Sequence, residues 1–269
     1  MITSGFGPDE THTFSINMTN TETTQPEHVT ACKLSIIHDH RCPSISSLGS
    51  LGYPIIMATK LSAKTKKAIT LKGSTQIVTE FLKYASYTIL YQRGVYPQDD
   101  FHFVKKYGQT LLVSQDPALE RYLDNVLKQV HEWIMKGDVS QIVLAILTRE
   151  SGEPLERWTF DINVTEAAPG VLEGTAPSKP DSEIQSEIRA ILKQISSAIT
   201  FLPDHYDPTT FKLLAYTRDN GEVPVGEWVG SDAHLLPAAE AQQVKLRSFS
   251  TDLHRIEAMV AYRYTGDNA

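Results

Sequence analysis

The sequence predicts an α+β fold in which three helices pack on one face of a mainly antiparallel sheet. Three patterns carry that expectation. Apolar residues recur at helical spacing in three separate stretches, strict alternation runs from Trp158 to Val164, and the chain from Phe211 onward holds short β-prone runs divided by Gly and Pro. Strands with one apolar face need cover, and amphipathic helices supply it.

Ser74 stands as an N-cap ahead of Ile77, Phe81, Ala85 and Ile89, with Val78 and Leu82 widening the stripe, so a first helix is expected over 75–93. Gly94 and Pro97 end it. Short extended pieces follow over 101–114. Asp116-Pro117 pairs an N-cap with proline at the first helical position, and Leu119, Leu123, Leu127, Val130 and Ile134 carry a second helix to Gly137. The run Ile142-Val143-Leu144-Ala145-Ile146-Leu147 reads as a central strand covered on both faces. After the turn at 150–154, Trp158, Phe160, Ile162 and Val164 point one way and Thr159, Asp161 and Asn163 the other, which makes a hairpin with the preceding strand. A mobile loop is expected over 165–181, rich in Ala, Pro, Gly and Glu. Ser182 and Gln185 form a capping box before Ile184, Ile188, Ile191, Leu192, Ile195 and Ile199, so a third helix runs to about Thr200. Strand signals then recur at 211–217, 244–249 and 259–264.

The first 56 residues differ from the rest. They are crowded with Thr and Ser, hold only Lys33 and Arg41 as cations, and show no sustained period. The expectation is a disordered extension, dispensable or an artefact of the gene model, ahead of a folded unit at 57–269. With 25 Lys+Arg against 32 Asp+Glu, the net charge of -7 supplies no basic field for phosphate backbones or anionic lipid. Two cysteines, Cys32 and Cys42, cannot form a disulfide framework, which fits a reducing compartment. No apolar run approaches the roughly 18 residues of a membrane span.

Motifs for catalysis are not found. The sequence has no Gly-x-Gly-x-x-Gly, no Gly-Lys-Ser/Thr phosphate loop, no Gly-x-Ser-x-Gly elbow and no His-Glu-x-x-His. Cys32, His38, His40 and Cys42 are four possible zinc ligands, but their spacing matches no standard site and reads as coincidence. His102, His131, His205, His234 and His254 are scattered singly. No catalytic residue, cofactor or metal is expected, and a hydrolase or metalloenzyme is a distant alternative.

Long segments carry a resemblance instead. FLKYASYTILYQRGVYP (Phe81 to Pro97), KYGQTLLV (Lys106 to Val113), YLDNVLKQVHEWI (Tyr122 to Ile134), ESGEPLERWTFDI (Glu150 to Ile162), EIRAILKQISSAITFLP (Glu187 to Pro203) and VKLRSFSTDLHRIEAMVAY (Val244 to Tyr262) resemble the HORMA-domain family. LERWTFDI and LRSFSTDLHRIEAMVAY are similar to its spindle assembly checkpoint branch, rather than to the Rev-type branch of translesion DNA synthesis, which is the nearest alternative.

The resemblance implies an adaptor without catalysis that captures a partner peptide as an added strand and wraps a C-terminal seat belt over it. The capturing edge would be the strand at 211–217, with Leu213, Leu214, Ala215 and Tyr216. The belt would be 218–269, with Trp228, Val244, Leu246, Phe249, Val260 and Tyr262, able to pair with the sheet's other edge or around ligand. Open and closed conformers of the family associate through the third helix, where Lys193-Gln194 stands; the family's usual Arg at the first position offers a planar fork that Lys lacks. Phe201 and Arg247 match further interface positions, Arg93 a surface used by regulators, and Leu71 a residue that helps set the conformer balance. The implied partners are a Mad-one-type coiled-coil kinetochore protein, the anaphase-promoting complex co-activator, other checkpoint-complex proteins and a second copy of the chain, without direct nucleic acid or membrane. The implied location is nucleus and kinetochore, and also cytoplasm.

Overall fold

A computed structural model describes residues 12–15, 69–165, 179–217 and 228–264. The fold is α+β. Helix α1 (Leu71–Gln92) touches both α2 (Pro117–Lys136) and α3 (Asp181–Ser197), and the three lie on one face of a seven-stranded antiparallel sheet. The strands are β1 (His12–Ser15), β4 (Val139–Thr148), β5 (Pro154–Val164), β6 (Thr209–Thr217), β7 (Val229–Gly230), β8 (Ala241–Ser250) and β9 (His254–Arg263), while β2 (Phe101–Lys106) and β3 (Gln109–Ser114) form a separate hairpin beside α1. Spatial order in the large sheet is β7-β1-β6-β4-β5-β9-β8.

The helices form for the reasons their stripes give, with shifted ends. The Thr70 side chain, not that of Ser74, caps α1 by accepting from the Gly73 N–H at 3.2 Å, so the helix begins four residues early and Ser74 turns into the core. Asp116 caps α2 as its sequence predicts, accepting from Ala118 N–H at 2.9 Å, and Gly137 closes it in the left-handed conformation at φ 76°. The expected capping box of α3 is not made: Pro180 precedes the helix without a side-chain cap, and Ala198–Thr200 tightens into a 3₁₀ turn. Tyr107 and Gly108, both at positive φ, make the two-residue turn between β2 and β3; the cost at Tyr107 is offset by its hydroxyl, which donates to Glu80.

The core gathers under the sheet. Phe81 of α1 meets Phe160 of β5 edge-on at 5.8 Å and Phe249 of β8 at 4.9 Å, so one ring joins the helical layer, the central sheet and the C-terminal hairpin. Trp158, Phe160 and Ile162 are buried as the alternation demands, but Val164 at the strand end is 55% exposed, and Thr159 on the opposite face is buried.

Two expectations change. Within the segment expected to be disordered, His12–Ser15 is a strand; the zinc-like cluster at 32–42 and the rest of 1–56 lie outside the described residues, as does most of the 165–181 loop. Strand β6, expected to be a bare edge, has β4 on one side and β1 on the other, in the register His12↔Thr217, Thr13↔Tyr216, Phe14↔Ala215 and Ser15↔Leu214.

Phe81→Ala should remove about 3–5 kcal/mol, the range for truncating a buried Phe, with the denaturant midpoint falling and its slope unchanged. A loss below about 1 kcal/mol would mean that the three layers are not joined through this ring.

Candidate strand-capture site

Strand β6 is built to offer backbone rather than side chains. Phe211, Leu213 and Ala215 are committed to the main core, while Leu214 is buried in a small cluster with Val143 and Ala145 on the opposite face, where half-buried Tyr216 joins it. The Tyr216 hydroxyl accepts from Arg157 Nη2 at 2.8 Å. The side chains of the four residues expected at the capturing edge are therefore held by the domain itself, and what remains on the side away from β4 is the ladder of N–H and C=O groups. Such a margin recognises any extended chain that pairs with it.

The chain encloses that margin. Trp228 is buried with its ring 4.8 Å from that of Trp133 on α2, which fixes the start of the belt, and Val229–Gly230 then pairs as β7 with Ser15 and Phe14. A strand beside β6 thus has a neighbour on each side. Residues 231–240 next carry the chain from β7, at one end of the sheet, to β8 at the other. Six strand spacings of roughly 4.8 Å make about 29 Å, and the eleven Cα steps from Gly230 to Ala241 reach about 36–40 Å at full extension. The strap has little slack. It crosses on the face away from the helices, where His234 Nε2 lies 3.2 Å from Lys212 Nζ; burial first, and the Lys212 charge second, hold the His234 imidazole below its ordinary value.

The far end of the belt is pinned at the β8–β9 turn. Ser74 Oγ lies 2.6 Å from both Thr251 Oγ1 and His254 Nδ1, all buried, and the His254 N–H donates to Thr251 Oγ1 at 2.9 Å. Asp252 accepts from the Ile69 N–H at 3.3 Å and from the Lys179 N–H at 2.7 Å. Glu187 of α3 accepts from Lys179 Nζ at 2.6 Å and from the Ser250 N–H at 3.0 Å. These contacts tie the turn to the starts of α1 and α3. On the β8–β9 hairpin itself, Leu246, Phe249, Val260 and Tyr262 are buried, Val244 is half-buried opposite Val260, and the Tyr262 hydroxyl donates to Gln242 Oε1 at 2.9 Å. The polar contacts that latch the turn were not anticipated from the sequence, because Ser74 and Ile69 on one side and Thr251, Asp252 and His254 on the other are about 180 positions apart.

Of the residues matched to a dimer surface, Lys193, Gln194 and Arg247 fall on the adjacent elements α3 and β8, and Phe201 follows the 3₁₀ turn at the end of α3. Gln194 Oε1 of α3 accepts from the Arg247 N–H of β8 at 2.7 Å, beside exposed Lys193, while Phe201, 41% exposed, stands 6.3 Å from the Tyr262 ring. Leu71 is the first residue of α1 and is 41% exposed.

Arg93 does not belong to a surface. It is 7% exposed and donates to Glu156 Oε1 at 2.7 Å and to the Pro203 carbonyl, with His205 Nε2 2.9 Å from the same carboxylate oxygen and Trp158 donating to the other at 2.9 Å. Burial alone would raise the Glu156 carboxyl, but the His205 hydrogen bond and the Arg93 charge outweigh it and hold the group below the usual carboxylate range. This cluster locks the end of α1 to β5 and to the chain entering β6. Among the described residues, no group of His, Cys, Asp and Glu is arranged to hold a metal ion, and no helix is long and apolar enough to cross a membrane.

Burial holds the His254 imidazole below its ordinary value. The unfolded chain therefore takes up a proton near pH 6.5 that the folded latch excludes, so the latch's stability is complete above that pH and falls as pH drops below it. Amide exchange in β8 and β9, corrected for its intrinsic pH dependence, should rise between pH 7.5 and 5.5, and His254→Asn should flatten that rise. An unchanged pH profile in the variant would contradict the assignment.

The profile of the HORMA domain matches residues 74–254. The mitotic spindle assembly checkpoint protein MAD2A of Dictyostelium discoideum is 49% identical over 212 residues, covering 78% of this chain and 100% of that protein. The protein of the same name from Homo sapiens is 43% identical over 208 residues, covering 77% of this chain and 98% of that one. A chain in a crystal structure of the mitotic checkpoint complex superposes with a TM-score of 0.63 at 39% identity, covering 71% of this chain and 99% of that chain. The chain belongs to the HORMA domain family.

Proposed function

We propose that this chain is a spindle assembly checkpoint adaptor that entraps a short partner peptide as a strand beside β6 and thereby restrains the anaphase-promoting complex co-activator. The observation that carries the reading is the enclosed strand position between β6 and β7, closed by a strap pinned to α1 and α3. The similarity to checkpoint proteins over nearly their whole length supports it. The partners are a Mad-one-type coiled-coil kinetochore protein, which holds one closed copy, and the co-activator, which receives the belt of a second copy; other checkpoint-complex proteins join them. The work is done by binding and conformational change, without catalysis, at kinetochores and in the nucleus and cytoplasm.

Two packings of the belt are needed for such exchange, and moving a population from 1:99 to 99:1 takes roughly 5.5 kcal/mol, which a new backbone ladder can supply. Self-association of open and closed copies runs through Lys193 and Gln194 on α3, Arg247 beside them on β8, and Phe201 just past the 3₁₀ turn that follows α3.

Cells whose copy of this gene is deleted should fail to arrest when microtubules are depolymerised and should separate chromosomes on the untreated schedule; a normal arrest would overturn the reading. Lys193→Glu should weaken self-association at least tenfold in analytical ultracentrifugation while peptide capture changes little. Equal loss of both would place Lys193 outside the dimer patch.

A further inference from the structure

The strand position that the proposed function gives to a partner peptide is already filled by this chain. Residues His12–Ser15 pair with β6 along four positions and with β7 at Phe14 and Ser15, so the segment lies inside the belt as a guest would. It has the composition for the role: Thr11 to Met18 contains no Pro or Gly and includes Thr, Phe and Ile, which suit extended backbone. It is also an addition to the family module. The HORMA profile begins at residue 74, and the Dictyostelium protein is matched end to end by 78% of this chain, leaving about a fifth without counterpart there.

We propose that His12–Ser15 is a built-in guest, held in cis in the belt of the same molecule and displaced when a partner peptide is captured. The idea rests on the strand-capture reading of β6 and adds its regulation. Residues 16–68 connect the segment to the start of the described domain, and 53 residues span up to about 175–190 Å, so covalent reach imposes no barrier to filling the slot of the same molecule. A tether turns the second binding event into an intramolecular one with an effective concentration of up to about millimolar. A segment whose own affinity is only on the order of 100 μM would then be about nine-tenths bound and would weaken an incoming peptide about tenfold by competition. Because the guest is held by backbone pairing, modest side-chain specificity suffices.

The test uses the full chain and its Phe14→Pro/Ser15→Pro variant. Both positions have a strand on each side, so every N–H there points into a ladder and each proline deletes a donor. Hydrogen exchange of the Leu214–Thr217 amides that face β1 should be at least tenfold faster in the variant, with β4 and β5 unchanged as the control for folding. A synthetic peptide of residues Asp9 to Met18, added to the variant in trans, should restore the protection. Equal β6 protection in the two chains would overturn the built-in guest, and so would a concentration-dependent dimer of the intact chain that the variant lacks, since the segment would then fill a second copy. Neither result touches the arrest assay. A normal arrest in the deleted cells, with the tenfold β6 effect intact, would remove the checkpoint reading and leave the guest in place.

Discussion

Strand β6 has an outer row of backbone donors and acceptors that the domain cannot satisfy from its own compact part. Its side chains are spent on two clusters, one under the helices and one on the opposite face, so the ladder facing away from β4 must be completed by an added strand. A bare edge of nine residues would invite pairing with any exposed chain. The remainder of the C-terminal region follows from this requirement: a tryptophan anchor at 228, a two-residue strand that covers the guest's second side, a strap with little spare length, and a hairpin on the far edge.

The belt's two ends are secured by different physics. At Trp228 the hold is apolar, an aromatic ring against Trp133 in a buried contact. At the β8–β9 turn it is polar and cooperative, with Ser74, Thr251, Asp252, His254, Lys179 and Glu187 sharing hydrogen bonds across three elements. Buried polar networks of this kind stabilise one arrangement while every member is paired and cost heavily once one is not. That makes the latch a discrete two-state element rather than a soft spring, which suits a clasp that must be either shut or open.

Most of the scaffold was legible in the sequence. The stripes from Ile77 to Ile89, Leu119 to Ile134 and Ile184 to Ile195 located the helices, and the alternation at Trp158 to Ile162 located β5, because burial acts on those positions through local period alone. Caps were less legible: Ser74 has the chemistry of an N-cap, but Thr70 takes that place and the Ser74 hydroxyl is used by His254 and Thr251. Arg93 was expected at a surface through the resemblance of YQRG, and it is buried instead because Glu156 and His205, which nothing near it in sequence announces, enclose its guanidinium. The strand at 12–15 lay hidden in a polar segment of no period, since four residues are too few to show one and their pairing partners lie some two hundred positions away.

Whether the enclosed strand is exchanged only by opening the belt can be measured by locking it. The Ser74 and Thr251 side-chain oxygens lie 2.6 Å apart, so cysteines at both positions fall within disulfide reach and would fasten the turn to α1. Hydrogen exchange of the β6 amides that face β1 should slow in the oxidised form toward the rate of β4 and return on reduction. Identical β6 exchange in the locked and reduced forms would show that the guest leaves without the clasp moving.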